Sequence, residues 1–331
     1  MKNLLMLLFL LYFQSFFAQT PVELGEVAWL RDISTAEKQA EQTGKPIFLL
    51  FQEVPGCSTC QRYGQEVLSH PLIVEAIENC FVPLAIFNNK QGTDRKVLNY
   101  FKEPSWNNPV VRIIDSKRNN LMPRLSGNYT KLGVVQSMLY VLEDAPEYLK
   151  ILEKEFLAEA IGTETTSLSM YCFWSGELKL GTIEGIVATE AGFMHGREIV
   201  QVTYNPEVVK YEDLLSKAQQ ASCADRAFVH SDAQARQAKQ ILGHQQVQNK
   251  ANFRLDQDRK YYLSKTHYRA VPMTPLQAIH VNRLIANSES PDAVLSDRQI
   301  AFAKRIAKQA KFEWTNRIGM DIRTAWSSMK I

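Results

Sequence analysis

Two cysteines, Cys57 and Cys60, stand where an apolar strand gives way to a helix, and that position limits what the surrounding fold can be. The apolar run from Pro46 to Gln52 reads as a strand, and the stretch from the cysteines toward Glu66 as a helix. A helix N-terminus carries partial positive charge and unpaired N–H groups, which stabilise a cysteine there as the thiolate. Cys57 is therefore the expected nucleophile. Cys60, one turn further on, can close a disulfide with it, which makes a two-electron redox pair. Half of a zinc knuckle is the competing reading. It needs a second ligand pair, and the near candidates His70 and Cys80 lack finger spacing.

Ahead of this region, Lys2 precedes an apolar run from Leu4 to Phe17 that closes in Phe16-Phe17-Ala18-Gln19. The pattern predicts a secretory signal peptide over residues 1–18, and so a periplasmic or secreted protein. An uncleaved membrane anchor is the alternative, because the small-x-small pattern at Phe16 and Ala18 is imperfect. No cysteine follows the run, which argues against a lipid anchor. No later segment is apolar for long enough to span a bilayer, so no integral membrane segment is expected after cleavage. The remainder, about 310 residues, suits two domains. The net charge of +3 is small for this length and points to neither nucleic acid nor a membrane surface as partner. Five cysteines, at 57, 60, 80, 172 and 223, are too few and too scattered for a disulfide-stapled scaffold, and their odd count leaves at least one unpaired. Catalytic thiols fit better, with Cys80 read as a small buried hydrophobe.

Along the first half, the pattern predicts a helix over 34–42, a strand over 46–52, the cysteine helix, a strand over 80–87 and a helix over 94–101. Strands over 110–115 and 121–125 and a helix over 130–142 follow. This order, with Cys-x-x-Cys between a strand and its helix, resembles the thioredoxin fold over roughly residues 25–144. Asn108-Pro109, just ahead of the strand at Val110, matches the position of the family's cis-proline, so the resemblance implies that Pro109 lies beside the cysteines and helps bind substrate. A trans proline entering an edge strand is the plainer reading. The stretch Val54-Pro55-Gly56-Cys57-Ser58-Thr59-Cys60 is also similar to the VPGUxxT family of thioredoxin-like proteins, some members of which carry selenocysteine at the position of Cys57. It departs from that family at Cys60, where the pattern has threonine.

A charged helical stretch from Asp144 and the polar segment Gly162–Ser167 read as a linker over 145–169. Beyond it, Cys172-Phe173-Trp174 resembles the start of peptide methionine sulfoxide reductase A. Ile183–Phe193, His195–Pro206 and Tyr211–Leu215 follow in that family's order, and Phe253–Leu263 resembles a later segment more faintly. The implied domain is 170–265. Carried over by position, Cys172 attacks the sulfoxide sulfur, Glu198 protonates the departing oxygen, and Phe173, Trp174 and Phe193 line the substrate site. The product is methionine and a sulfenic acid on Cys172, to be resolved by a second thiol. Cys223 is the other cysteine of this half, and the Cys57/Cys60 pair can then reduce the disulfide. The chain departs from the family in having Phe193 where it has a tyrosine, and a shortened Cys223-Ala224-Asp225-Arg226-Ala227 where it has an aspartate and a second tyrosine. Each lost donor to a developing oxyanion is worth about 3 kcal/mol.

His195 reads as a surface histidine before a strand, with a general-base role as the sharper alternative. His244, His267 and His280 are too dispersed for a metal site, and neither a metal nor any other cofactor is expected. Pro272–Pro275 and Ser296 read as helix starts in a helical C-terminal extension, 266–331. The expected fold class is thus α/β (α+β): a thioredoxin-like fold, a reductase-like α+β domain and a helical tail. The expected protein is an exported thiol oxidoreductase. Its expected partners are oxidised proteins or peptides, and an external thiol reductant or membrane electron donor. The alternatives are a disulfide oxidoreductase whose second domain relays electrons, or one whose second domain only binds peptides.

Overall fold

The computed structural model describes residues 20–329, so the leader read at 1–18 lies outside them. The first module runs α1 (Ile33–Thr43), β1 (Ile47–Gln52), α2 (Ser58–Glu66), α3 (Pro71–Cys80), β2 (Val82–Phe87), α4 (Thr93–Tyr100), β3 (Val110–Ile114), β4 (Leu125–Ser126) and α5 (Lys131–Val141). Its sheet has the order β2-β1-β3-β4, with β1 parallel to β2 and antiparallel to β3. β1 is the spine because it is apolar from Ile47 to Phe51: Phe48 and Leu50 enter one core, while Ile47, Leu49 and Phe51 enter the other. A strand covered on both faces needs such a continuous run rather than alternation. The element order is the expected one with one addition, the helix α3 between the cysteine helix and β2, which takes up Cys80 where the strand was expected to start. The strand expected over 121–125 is broken: β4 pairs with β3 at Leu125 and Ser126, and an isolated bridge joins Asn120 to Ile114, where the Leu121 amide donates to the Ile113 carbonyl at 2.9 Å. Pro123, which has no N–H for a ladder, lies in the unpaired part.

The second module runs α6 (Glu147–Ile161), β5 (Glu164–Ser169), α7 (Phe173–Leu180), β6 (Ile186–Met194), β7 (Arg197–Tyr204), α8 (Tyr211–Gln220), β8 (Arg226–Val229), α9 (Asp232–Leu242), β9 (Val247–Asn249), β10 (Arg254–Leu255) and α10 (Tyr261–Ser264). Its sheet has the order β10-β6-β7-β5-β8-β9. The polar segment expected as a linker is therefore corrected: 164–169 is β5, paired with β7 on one side and β8 on the other. Thr166 and Ser167 are fully buried, and their hydroxyls find the Tyr211 hydroxyl at 3.4 Å and His230 Nε2 at 3.3 Å. Buried hydroxyl residues can hold a central strand once partners satisfy them, which polarity alone does not show. Nor is α6 a spacer, since Tyr148, Leu149, Leu152 and Phe156 join the first module's core and Ile151 joins the second's.

The tail adds α11 (Pro275–Ala286), α12 (Asp297–Ile306) and α13 (Ile322–Ser327). The expected starts hold, and Thr274 with Gln277 and Ser296 with Gln299 each form a capping box. Among the described residues, no helix is long and apolar enough to cross a membrane. The tail returns to the first module at Glu75 on α3. This fully buried carboxylate accepts the Ser296 hydroxyl at 2.6 Å and the Arg298 amide at 2.7 Å. Arg298 also pairs with Glu78, and Ile322 of α13 enters the first module's core. Burial raises the Glu75 carboxyl above its ordinary range, against the pull of Ser296 and Arg298. Glu75→Ala leaves both donors without their acceptor and is expected to lower stability by about 1–3 kcal/mol. Chemical denaturation of the whole chain checks this, and an unchanged midpoint would contradict it.

Candidate active site

The end of β1 delivers the first cysteine pair. Val54-Pro55, a cis peptide, and Gly56 turn the chain, and Cys57 is the N-cap of α2. Two residues hold this turn from behind: the buried Glu23 accepts the Gly56 amide through Oε1 at 2.8 Å, and Gln52 Nε2 donates to the Glu23 carbonyl at 2.7 Å. Gly64 on α2 admits this entering segment, since a Cβ there would stand 1.9 Å from the Val22 carbonyl oxygen. Glu23 carries no motif that marks it in the sequence.

Cys57 is exposed, Cys60 is buried, and both are free thiols with sulfurs 3.5 Å apart. The Cys60 N–H facing its sulfur holds the Cys57 thiol below its ordinary value. Burial, then the contact with Cys57, pushes the Cys60 thiol up to about 12. Asn108-Pro109 is cis, and Cys60 Sγ donates to Asn108 Oδ1 at 2.7 Å. The loop expected to lie beside the cysteines thus touches one of them, through Asn108, while Pro109 itself is buried. Glu53 places a carboxylate oxygen within 4.8 Å of both sulfurs. That makes three donors of one cluster, one fewer than a closed structural zinc site holds.

The second site repeats the plan. β5 ends at Ser169, and Cys172 is the N-cap of α7. Glu198, at the start of β7, accepts the Phe173 amide through Oε2 at 2.9 Å, which sets its carboxylate at the same helix end as Cys172. Phe173 stacks with Trp174 at 5.5 Å between ring centroids and meets Phe193 edge-on at 5.2 Å. Cys172, Phe173, Trp174, Phe193 and Glu198, widely spaced in sequence, therefore converge. His195 lies in the tight β6–β7 turn and stacks on Phe228, which clusters with Met194 and Ile199 on the other face of the sheet from Glu198. That placement favours the surface reading.

Cys223 forms no disulfide with Cys172. The β5–β8 pairing sets both at one end of the sheet, yet both thiols are free. The Cys223 thiol is buried and donates to the Ala221 carbonyl at 3.4 Å. Burial raises it above the ordinary thiol value.

Three residues around the aromatic cluster escaped the sequence reading. Asp256 Oδ2 accepts the Trp174 indole N–H at 3.2 Å, and Tyr261 stacks on Trp174 at 4.1 Å. Between them in sequence, Lys260 pins the segment to α7 and β6: its amide and Nζ each donate to the buried Glu177 carboxylate at 2.6 Å, and its Nζ also donates to the Thr189 hydroxyl at 2.9 Å. The only pointer in the sequence was the faint likeness over 253–263.

A family model described as thioredoxin-like matches residues 28–116. The first module is thioredoxin-like. The peptide methionine sulfoxide reductase MsrA of Methanococcus maripaludis (strain C5) is 41% identical to this chain over 16% of this chain and 45% of that protein. MsrA 1 of Nostoc sp. (strain PCC 7120) is 31% identical over 16% of this chain and 43% of its own length. The chain thus spans less than half the length of these curated relatives. Among solved structures, the DsbH oxidoreductase matches 33% of this chain and 78% of that chain, at 17% identity and a TM-score of 0.28. Mxr1 from Saccharomyces cerevisiae, in an unusual oxidised form, matches 28% of this chain and 74% of that chain, at 19% identity and a TM-score of 0.22.

Iodoacetamide is expected to modify Cys57 with a pH midpoint below the ordinary thiol value of 9.0, and Cys60 only as the pH nears about 12. Mass mapping reads the two sites separately. Cys57→Ser removes the fast phase, and equal labelling of both thiols at pH 8 would refute the asymmetry. Lys260→Met leaves Glu177 buried without its cation and is expected to cost about 3–5 kcal/mol of stability. Denaturant melts check this, and adding Glu177→Met should recover much of the loss.

Proposed function

We propose that the second module reduces methionine sulfoxide in oxidised proteins or peptides, and that the Cys57/Cys60 pair returns it to the reduced state. The observation that carries this reading is Glu198 bound to the Phe173 amide at 2.9 Å, with Cys172 capping the same helix and the rings of Phe173, Trp174 and Phe193 beside them. A thiolate, an acid and an apolar wall for a methyl group are what sulfoxide reduction asks of a protein. The Cys172 sulfur attacks the sulfoxide sulfur, and the oxygen is protonated and passes to Cys172 as a sulfenic acid. Methionine leaves as a sulfide, two electrons richer. A second thiol then condenses with the sulfenic acid, releasing water and forming a disulfide, which a dithiol exchanges away.

Relay through Cys223 requires that buried thiol to come out of its packing. Cys57, exposed and lowered in pKa, has the character of an attacking thiol as it stands. In this reading the Cys57/Cys60 pair draws electrons from an external thiol reductant or a membrane donor. The leader at 1–18 makes the periplasm or the exterior the proposed location, and the Val54–Cys60 stretch keeps its likeness to the VPGUxxT family.

A second reading is a disulfide oxidoreductase whose reductase-like module only relays electrons or binds peptides. The observation in its favour is the pair of changes at the oxygen-binding positions: Phe193 in place of tyrosine, and no counterpart in the short Cys223–Ala227 segment.

Methionine release from a peptide sulfoxide, with dithiothreitol as reductant, separates the two. Turnover is expected to vanish in Cys172→Ser and to fall about 100-fold or more in Glu198→Gln, the scale of a lost acid. Cys223→Ser is expected to retain turnover with dithiothreitol. Absence of turnover on both sulfoxide epimers would leave the relay or binding module.

A further inference from the structure

One charged side chain outside the cysteine and acid set reaches the same ring cluster. Arg254 on β10 pairs with Phe193 on β6, and Phe193 pairs with Glu198 on β7. Residues directly opposite one another across strands share a face of the sheet, so Arg254, Phe193 and Glu198 form a row. The row ends at α7, where Glu198 holds the Phe173 amide beside Cys172. The Arg254 guanidinium carbon lies 4.4 Å from the centre of the Phe193 ring, and that ring meets Phe173.

The guanidinium is also free to bind. Arg254 is exposed, and among the described residues it takes part in no ion pair. Asp256, two residues on and just past the end of β10, is engaged by the Trp174 indole and the Asp258 amide. An arginine seated on an aromatic face keeps its N–H edge for a planar anion. Arg254 and Glu198 are two strand spacings apart, roughly 9–10 Å, and an extended peptide advances roughly 3.3 Å per residue, so a carboxylate within about three residues of the oxidised methionine can reach the guanidinium.

Resting on the sulfoxide-reductase reading, we propose that Arg254 selects substrates with a carboxylate close to the oxidised methionine. The two sources of that group are an Asp or Glu side chain flanking the methionine sulfoxide in a peptide, and the α-carboxylate of the free amino acid. Both offer a planar anion near the sulfoxide sulfur, and neither needs any group that the row lacks.

The test uses the full chain and three peptides identical except for the residue next to methionine sulfoxide, which is Asp, Gln or Lys, together with free methionine sulfoxide. Turnover with dithiothreitol is measured in the wild type, Arg254→Met and Arg254→Lys. Binding of the same fluorescently labelled peptides to Cys172→Ser is measured in parallel, with thermal melts to verify that each variant is folded. The Asp peptide is expected to have a KM about fivefold below the Lys peptide, the scale of one exposed charge pair. The gap should close in Arg254→Met, return in part in Arg254→Lys, and narrow at high salt. If free methionine sulfoxide shows the same dependence on Arg254, the α-carboxylate is also read. Turnover without a charge order, or an order that persists in Arg254→Met, overturns the role of Arg254 and leaves the reductase standing. Ordered binding that depends on Arg254 but leads to no turnover supports the recognition and overturns the reductase. Absence of both binding and turnover overturns the two together.

Discussion

A strand covered on both faces has to leave its sheet at the end, and in this chain the exit is followed at once by a helix whose first amides have no partner of their own. That constraint governs both halves. β1 ends at Gln52 and α2 opens on Cys57; β5 ends at Ser169 and α7 opens on Cys172. In each case a cysteine takes the capping position where serine or aspartate is commonly found. The two halves then diverge in what they bring to the sulfur. The first supplies a second thiol one turn later and the Asn108 side chain. The second supplies a carboxylate from a neighbouring strand and three aromatic rings.

The difference fits a division of labour. The sulfur of Cys57 is open to solvent with its partner at hand, an arrangement suited to exchanging disulfides with large molecules. Cys172 is half-buried and flanked by rings, an arrangement suited to one side chain at a time. Behind the rings, the bond from Lys260 to Glu177 fixes the segment that carries Asp256 and Tyr261. Lys260 itself adopts a left-handed backbone, at φ 53°, a conformation uncommon outside glycine, asparagine and aspartate.

The parts of this molecule legible in the sequence are those governed by local rules. The apolar run of β1, the Cys-x-x-Cys turn, and the starts of α11 and α12 at Thr274 and Ser296 depend on neighbours within a few residues. Cys172, Glu198, Phe193, Phe173 and Trp174 were found through ordered motifs, and the strand pairing brings them together. What stayed hidden depends on partners far along the chain. β5 passed for a linker because Thr166 and Ser167 are satisfied by Tyr211 and His230, 45 and 63 residues away. Glu177 and Lys260 are 83 residues apart, and neither has a neighbour that would mark it for burial. Cys223 is the other cysteine of its half, and no count of cysteines reveals that its thiol is packed away.

The carboxylate of Glu75 joins the halves in a way that area alone would not. It accepts the Ser296 hydroxyl and the Arg298 amide at the first turn of α12 in the tail, so a turn that carries its own capping box takes two further hydrogen bonds from the first module. Drawing them apart does not simply open a seam between two rigid bodies. It also leaves a buried carboxylate without its donors, and the Ser296 hydroxyl and Arg298 amide without their acceptor. A hinge at this position would have to bring a carboxylate out of burial within its stroke.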